Sequence, residues 1–151
     1  MVRKRPWSPG KEKALVDAWL WAKHRTDPQW RRVRLGVLPT KESNRVYMTL
    51  LRWADAVFLN DGKVYIVEAK LRPDLGAIGQ LQGYQKLFSQ TLEFDAYKDW
   101  PVEMILLTTM PDLNIIELCS EKNIKYEIFT LEDVNRVRQE LLQPVLPLKQ
   151  S

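Results

Sequence analysis

Cysteine and histidine are almost absent from this chain, which has one of each among 151 residues. A single cysteine, Cys119, cannot form a disulfide within the chain. One cysteine and one histidine, His24, also exclude the usual structural zinc sites, which need four Cys or His ligands. A chain without these cross-links fits a reducing environment, and we expect an intracellular, cytoplasmic protein.

Long hydrophobic runs are absent as well. No apolar stretch approaches the roughly 20 residues that are needed to span a membrane. The basic N-terminal residues 1–10 are not followed by the hydrophobic segment of a signal peptide. Low-complexity tracts and internal repeats are also missing. We therefore expect no association with a membrane.

The remaining composition is that of a globular protein, with 45% hydrophobic and 28% charged residues. A length of 151 residues is enough for one domain with a full core. We predict a single domain over residues 1–151, with its core in residues 8–143. The basic segment 1–7 and the proline-containing tail 144–151 are predicted to be loose.

Charge is distributed unevenly along the chain. Residues 1–52 contain 13 Lys and Arg against 4 Asp and Glu, a net of +9, whereas residues 53–151 contain 10 against 15, a net of −5. A basic third beside an acidic patch indicates a polyanionic partner such as nucleic acid. On charge alone, an ordinary solvated basic surface is the favoured explanation, and the polyanionic partner becomes the favoured one only in combination with the hairpin described next.

The strongest local signal is a β-hairpin. Two β-prone runs flank Asp61-Gly62, with Arg52–Leu59 before the pair and Lys63–Leu71 after it. An Asp-Gly pair between such runs favours a type I′ turn, because both central residues of that turn need a positive φ. With Asp61 and Gly62 as the turn residues, partners across the hairpin have residue numbers that add up to 123.

This register brings three charged residues together. It places Asp55 opposite Glu68, and Lys70 lies on the same face of the strand as Glu68 because side chains alternate. Two carboxylates opposite one another repel unless a cation or a proton lies between them. Two carboxylates and a nearby backbone carbonyl suffice to hold Mg²⁺, and a lysine beside them suits phosphodiester hydrolysis.

Helical and strand patterns on both sides of the hairpin predict the order α-β-β-β-α-β-α-β-α. Ser8 as N-cap and Pro9 at the first helical position begin a helix that runs to about His24. The other predicted elements are strands at Trp30–Leu38, Pro101–Thr109 and Ile124–Phe129, a strand segment Val46–Leu51 that continues into the hairpin, and helices at Leu75–Gln90, Asp112–Lys122 and Leu131–Gln143. This order predicts a mixed α/β domain.

Both faces of the hairpin are largely apolar. Alternation puts Ala54, Ala56 and Phe58 on one face and Val57 and Leu59 on the other. A sheet that is apolar on both faces needs cover on both faces. We therefore expect a central mixed sheet flanked by helices on both sides.

Six tryptophans, five of them in the first 53 residues, are candidate stacking platforms for nucleobases. Aromatic residues at helix and strand spacing are more often core residues. We assign Trp19 and Trp53 to the core, and Trp7 and Trp30 remain open between the two roles.

The order of these motifs resembles the PD-(D/E)XK nuclease superfamily over residues 10–108. Asp55 matches the first acid of its motif, and Glu68-Ala69-Lys70 matches the (D/E)xK element. Gln80 and Tyr84, which lie four apart on the next predicted helix, are similar to the QxxxY motif of the RecB-like exonuclease branch. Ala54 departs from the pattern, since it stands where the family's name-giving proline would be.

The resemblance implies a restriction-endonuclease-like αβββαβ core and a Mg²⁺ or Mn²⁺ cofactor. It implies that Asp55, Glu68 and the Ala69 carbonyl bind the metal. By the same resemblance, Lys70 assists the water nucleophile, and the helix residues Gln80 and Tyr84 support the site or the nucleic acid. Many members add a Glu on the first helix, and Glu12 is the candidate here. A glutamate in a first turn also suits the helix dipole without any role in catalysis.

The expected function is hydrolysis of DNA phosphodiester bonds by a single-domain, metal-dependent deoxyribonuclease. The basic residues expected to contact the DNA backbone are Arg31, Arg32, Arg34, Lys41 and Arg45. In the first strand, alternation puts Arg32 and Arg34 on one face and Arg31 and Val33 on the other.

Two alternatives remain open. One is a Holliday-junction resolvase, which would need a homodimer to place two sites on one junction. The other is a non-catalytic DNA-binding or assembly subunit that retains the fold, although the acid-acid-lysine set is intact. Compact members of the family often serve DNA repair, recombination, or phage and mobile-element DNA processing, so a larger nucleic-acid-processing assembly is a further expectation.

Overall fold

The structure is a computed structural model, and it describes residues 9–36 and 52–143. Several predicted features lie outside the described residues. These are the Ser8 cap, Trp7, the end of the first strand after Gly36, the segment Val46–Leu51, the basic residues Lys41 and Arg45, and the segments 1–7 and 144–151. The predicted single domain over the whole chain therefore stays a prediction.

Four helices and five strands make up the described part of the chain. In chain order they are α1 (Pro9–His24), β1 (Gln29–Leu35), β2 (Arg52–Asn60), β3 (Lys63–Lys70), α2 (Leu75–Phe88), β4 (Val102–Thr108), α3 (Leu113–Glu121), β5 (Ile124–Ile128) and α4 (Leu131–Leu142). A short 3₁₀ helix, Leu92–Tyr97, lies between α2 and β4 and has no counterpart in the sequence prediction.

The five strands form one mixed sheet in the order β1-β2-β3-β4-β5. The pairs β1–β2 and β2–β3 are antiparallel, whereas the pairs β3–β4 and β4–β5 are parallel. The short turn between β2 and β3 allows the antiparallel pair, and the helices α2 and α3 supply the crossovers that parallel strands require. The predicted mixed α/β fold is confirmed.

Helices cover both faces of the sheet, because both faces are apolar. On one face, α2 and α3 bury a cluster that includes Leu81, Phe88 and Cys119. On the other face, α1 and α4 bury a cluster that includes Trp19 and Val134. The helices thus enclose the sheet between two hydrophobic layers, as the sequence predicted. No helix within residues 9–36 and 52–143 is long and apolar enough to cross a membrane.

The hairpin has the predicted register and turn. Asn60 pairs with Lys63 and Val57 pairs with Ile66, so the residue numbers of paired residues add up to 123 as predicted. The φ angles of Asp61 and Gly62 are 51° and 74°, and both are positive as a type I′ turn requires.

The strand β1 contains an irregularity that the sequence did not predict. Arg32 has a φ of 51°, in the left-handed region that residues other than glycine rarely adopt. As a result, Arg31 lies toward α1, where it contacts Asp17, whereas Val33 is buried in the cluster under α2. The predicted placement of Arg31 and Val33 on one face is therefore wrong.

The alternation of side chains between the two faces of the sheet is also interrupted in the neighbouring strand β2. Ala54, the partner of Val33, is buried in the cluster under α2, whereas Ala56 belongs to the cluster under α1. The prediction that put Ala54 and Ala56 on one face is therefore also wrong. The reversal lies at Asp55, the first acid of the candidate site.

Candidate active site

The predicted acids and lysine meet at the end of the hairpin that is remote from its turn. The Asp55 carboxylate accepts a hydrogen bond from the Ala69 N–H, with an Oδ2 to N distance of 2.7 Å. The Lys70 Nζ lies 3.8 Å from Oε1 of Glu68. Glu68 on the central strand β3 is only 5% exposed, so this ion pair is largely shielded from solvent. The structure thus brings Asp55, Glu68 and Lys70 into one site.

The two strands separate where this site begins. Their pairing runs from Asn60 opposite Lys63 to Ala56 opposite Val67. In a continued ladder the Ala69 N–H would face β2 backbone, but it donates to the Asp55 side chain instead. Asp55 therefore does not oppose Glu68 within the ladder, as the register alone predicted. Its carboxylate reaches across an opening between the strands.

Tyr84 on α2 connects both strands to the helix. Its hydroxyl lies 2.8 Å from the Trp53 carbonyl oxygen and 3.0 Å from Oε2 of Glu68. A phenol has one proton, so it can donate to one of these two oxygens at a time. When Glu68 is protonated, its own proton can satisfy the second contact. Tyr84 thus fixes the position of the buried acid, and it is itself buried.

The acids of the site repel one another and favour protonation. The pKa of Glu68 is raised to about 8, chiefly by burial and in addition by the charges of Asp55 and Glu12, while Tyr84 and Lys70 act in the opposite direction. Burial also raises the pKa of Asp55, against the Ala69 N–H and the charges of Lys70 and Arg32. A bound cation would relieve the same repulsion and favour the charged forms of these acids.

Glu12 extends the site to the first helix. Burial raises the pKa of its carboxyl, the Lys70 charge opposes that shift, and the charges of Asp55 and Asp74 add to it. A hydrogen bond from the Leu71 N–H also stabilises the carboxylate. The sequence alone left Glu12 between a role in the site and an ordinary place in a helical turn. The structure places it within electrostatic reach of the acids and the lysine.

The donor set fits a hard divalent cation in its chemistry. Asp55 and Glu68 supply two carboxylates, and the Ala69 carbonyl belongs to the residue between Glu68 and Lys70. Mg²⁺ usually takes one or two carboxylates from the protein and keeps several waters. Within residues 9–36 and 52–143, no group of three or more acidic, His or Cys side chains is arranged to enclose a metal ion.

Gln80 differs from the other predicted site residues. It lies on α2 one turn before Tyr84 and is half-buried. Among the described residues it makes no hydrogen bond with Asp55 or Glu68, whereas Tyr84 contacts Glu68 directly. The two residues of the predicted QxxxY pair are therefore not equivalent here.

The predicted basic residues of β1 also divide into two groups. Arg31 forms an ion pair with Asp17 of α1, so its charge is partly neutralised. Arg32 and Arg34 instead lie over the indole ring of Trp53, with their Cζ atoms 5.8 Å and 5.6 Å from the ring centroid.

Trp53 is the site residue that sequence reasoning missed. It was predicted to be a core residue, yet it is 49% exposed, whereas Trp19 is fully buried as predicted. Trp30 is also exposed, and it packs against Phe94 at 5.0 Å between ring centroids. The one signal for Trp53 was its closeness to Asp55 in the sequence, and the two residues line the same cavity.

Sequence comparison gives no relatives, since the chain matches no family profile and no curated protein. Solved structures do share its fold. A repair endonuclease from Pyrococcus abyssi superposes with a TM-score of 0.51 at 15% identity, covering 85% of this chain and 50% of that one. A structure of an EndoMS-dsDNA complex gives a TM-score of 0.50 at 14% identity, covering 86% and 49%.

A protein of unknown function, AF1548, is similar to the same degree, with a TM-score of 0.51 at 14% identity over 92% of this chain and 71% of that one. The present chain spans about half the length of the first two proteins. At these identities the likeness establishes the fold alone. It shows that this arrangement of helices and strands also occurs in endonucleases.

Proposed function

We propose that this chain is a metal-dependent nuclease that hydrolyses DNA phosphodiester bonds. The observation that carries the proposal is a pair of acids, the buried Glu68 and the half-buried Asp55, beside Lys70 at the open end of the hairpin. Two acids with raised pKa values and an adjacent ammonium are costly to bury, and functional sites are where such costs are usually found. The fold shared with endonucleases supports the same reaction class.

The proposed metal ligands are Asp55, Glu68 and the Ala69 carbonyl, with Mg²⁺ or Mn²⁺ as the cation. Such a cation would neutralise charge that develops on the phosphate and lower the pKa of a coordinated water. The protein's own part is to hold the ligands in place. The Ala69 N–H orients Asp55, and the Tyr84 hydroxyl orients Glu68. Protonation of Glu68 competes with cation binding, so binding strengthens as the pH rises.

Lys70 is the proposed partner of the attacking water and of the charged phosphate. Its ammonium is held by Glu68 at 3.8 Å and is partly exposed, so it can reach a substrate that approaches the acids. A positive group fixed beside the reacting phosphate stabilises the charge that develops in the transition state. Glu12 contributes a further carboxylate at the same end of the sheet.

DNA is the proposed substrate because of the charges around the site and the nature of the similar structures. Arg32 and Arg34 lie on the strand next to Asp55, and one similar structure contains dsDNA. Phosphate contacts by arginines give affinity without reading sequence. DNA repair, recombination, or phage and mobile-element DNA processing would each use such an activity.

The test is a cleavage assay with Mg²⁺ or Mn²⁺ on a panel of DNAs: linear duplex, circular duplex, single strand and four-way junction, with an RNA strand beside them. The proposal predicts cleavage that EDTA abolishes and that Asp55→Asn reduces by about 100-fold or more. Asp61→Asn is the matched control, because Asp61 is an exposed acid in the turn of the same hairpin.

Two results would contradict the proposal. One is the absence of cleavage on every substrate with either metal. The other is undiminished cleavage by Asp55→Asn, which would assign the activity to a contaminant. Paired nicking of the four-way junction by a dimer, measured together with mass by gel filtration, would instead favour the resolvase alternative.

A further inference from the structure

Within the part of the chain that the structure describes, the packing of the fold does not explain why the indole of Trp53 is exposed. Large aromatic side chains usually contribute most when they are buried, and Trp19 and Phe58 are buried in this way. Trp53 leaves about half of its surface in water although it lies in the second strand of a five-stranded sheet. Asp55 lies two residues further along the same strand. An exposed indole beside a candidate catalytic acid indicates a binding surface.

The surroundings of Trp53 form a cavity rather than a flat surface. The cavity has a volume of about 370 Å³ and lies between α1 and the strands β1 and β2. Residues that line it are Glu12, Asp17, Arg31, Arg32, Trp53 and Asp55. This volume lies within the range of small-molecule sites. One wall carries acids of the candidate active site, and another carries the indole and an arginine.

Two arginines next to the indole are available for phosphate. Among the described residues, Arg32 and Arg34 form no ion pair with an acid, whereas Lys13 and Arg31 are both paired with Asp17. Their guanidinium groups lie within 6 Å of the indole centroid. Cationic groups over a half-exposed indole suit a nucleotide, because a base can stack on the exposed part of the ring while its phosphate meets a cation.

The strained backbone at Arg32 contributes to this arrangement. Regular alternation would send Arg31 and Arg32 to opposite faces of the sheet, but both line the cavity. The φ of 51° at Arg32 makes this possible and costs free energy in a residue with a Cβ. Backbone strain of this kind is found most often at ligand clamps and active sites.

We propose that Trp53, Arg32 and Arg34 form a subsite for an unstacked nucleotide of single-stranded DNA, directly beside the candidate catalytic acids. The inference rests on the proposed nuclease function and names the form of its substrate. A base must leave the stack of a duplex before it can lie against an indole. The subsite therefore favours single strands over continuous duplex.

Binding of fluorescently labelled strands, measured by anisotropy in EDTA so that no strand is cut, tests this subsite. The probes are a 12-nucleotide oligo(dT), a strand of equal length and charge made of abasic units, and a 12-base-pair duplex. We expect wild-type protein to bind oligo(dT) roughly fivefold to a hundredfold more tightly than the abasic strand. Trp53→Ala should remove that preference, and Trp53→Phe should keep most of it.

Salt dependence separates the roles of the three residues. Arg32→Gln and Arg34→Gln should each reduce the slope of log K against log salt for the single strand by about 0.7, because each removes one phosphate contact. Trp53→Ala should weaken binding to oligo(dT) without changing that slope. Trp21→Ala is the matched control, since Trp21 is exposed and lies 4.7 Å from Arg25 but does not line the cavity.

The proposal is overturned if Trp53→Ala weakens binding to oligo(dT) and to the abasic strand equally, or if Trp53→Phe behaves as Trp53→Ala does. It is also overturned if Trp53→Ala weakens binding to the duplex as much as binding to the single strand. Thermal melting of each variant identifies any loss of fold. A base preference that depends on Trp53, in a protein that cleaves nothing, would remove the nuclease proposal and leave the subsite. If Trp53→Ala cleaves and binds single strands as wild type does, the subsite is removed and the nuclease proposal remains.

Discussion

The two ends of the β2–β3 hairpin differ in the regularity of their strand pairing. At the turn, Asn60 pairs with Lys63, the φ angles follow the type I′ pattern and the neighbouring side chains are apolar. At the other end, the strands part at Asp55, side-chain alternation reverses and three carboxyl groups share one region. The regular end stabilises the fold. The irregular end destabilises it and carries the chemistry that we propose.

A substitution can alter the irregular end of the hairpin and leave the regular end unchanged. Lysines stand at both ends of β3, and only one of them lies at the acids. We expect Lys70→Ala to reduce the initial rate of DNA cleavage by about 100-fold or more, because the ammonium beside the phosphate is lost. Lys63→Ala is the control, since Lys63 pairs with Glu103 near the turn, and it should leave the rate unchanged. Equal losses in both variants would mean that the ends do not differ in function.

Buried charge should make the irregular end sensitive to pH. For a carboxyl whose pKa is raised on folding, the protonated form stabilises the fold fully below its ordinary value of 4.5, and this stabilisation is lost as the pH rises through about 8. Glu68→Gln removes the charge. In EDTA we therefore expect its Tm to exceed that of wild type by roughly 4–10 °C at pH 9, and by much less at pH 5.

The control for this measurement is Glu103→Gln. Glu103 is a half-buried acid on the neighbouring strand near the turn, and its removal should shift Tm by no more than about 1–2 °C at either pH. If the Tm of Glu68→Gln does not exceed that of wild type at pH 9, the acid pair does not concentrate charge as the structure indicates. With Mg²⁺ present, wild type should gain stability and Glu68→Gln should gain little.

Prediction from sequence succeeded at the regular end because its signals are local. Asp61 and Gly62 are adjacent, and the turn type follows from the φ preferences of those two residues. The irregular end depends on residues that are remote in the sequence. Arg32 adopts its positive φ opposite a strand that begins 20 residues later, and nothing in its own neighbourhood in the sequence marks that position.

The exposure of Trp53 escaped prediction for a related reason. Hydrophobicity alone assigns an indole in a strand to the core, and that assignment was correct for Trp19. Whether a strand residue is covered depends on which helix lies over it. Here the cavity beside α1 leaves the indole open. The motif itself, Asp55 with Glu68-Ala69-Lys70, could be found because spacing along two paired strands is visible in the sequence.

A smaller effect is expected from replacing Tyr84, whose hydroxyl contacts both strands at the irregular end. Tyr84→Phe removes the hydroxyl from the Trp53 carbonyl and from Glu68, and leaves both groups buried with one partner fewer. We expect a loss of about 1–3 kcal/mol in the free energy of unfolding, measured by urea titration. Tyr65→Phe is the control near the turn, where the ring stacks on Phe58 and the change should be within about 0.5 kcal/mol. An equally large loss in Tyr65→Phe would show that the two ends of the hairpin do not differ in this respect.

The smallest expected effect belongs to the turn. Gly62→Ala should cost about 1 kcal/mol in the free energy of unfolding, because its φ of 74° is unfavourable with a Cβ although no atom would clash. Gly79→Ala, at an exposed helical position with equal space, should raise stability by up to about 1 kcal/mol. The cleavage rate should be unaffected by Gly62→Ala, and a large loss of rate would show that the turn supports the site.

The arrangement around Glu68 also has a consequence for the order of assembly. Asp55 and Glu68 are 13 residues apart on one hairpin, so a local turn can bring them close early in folding. Glu12 and Tyr84 are 72 residues apart and reach the acids only when α1 and α2 have both docked on the sheet. A partly folded chain would thus hold the acid pair without the helix residues that position it. Competence to react would appear only with the finished fold.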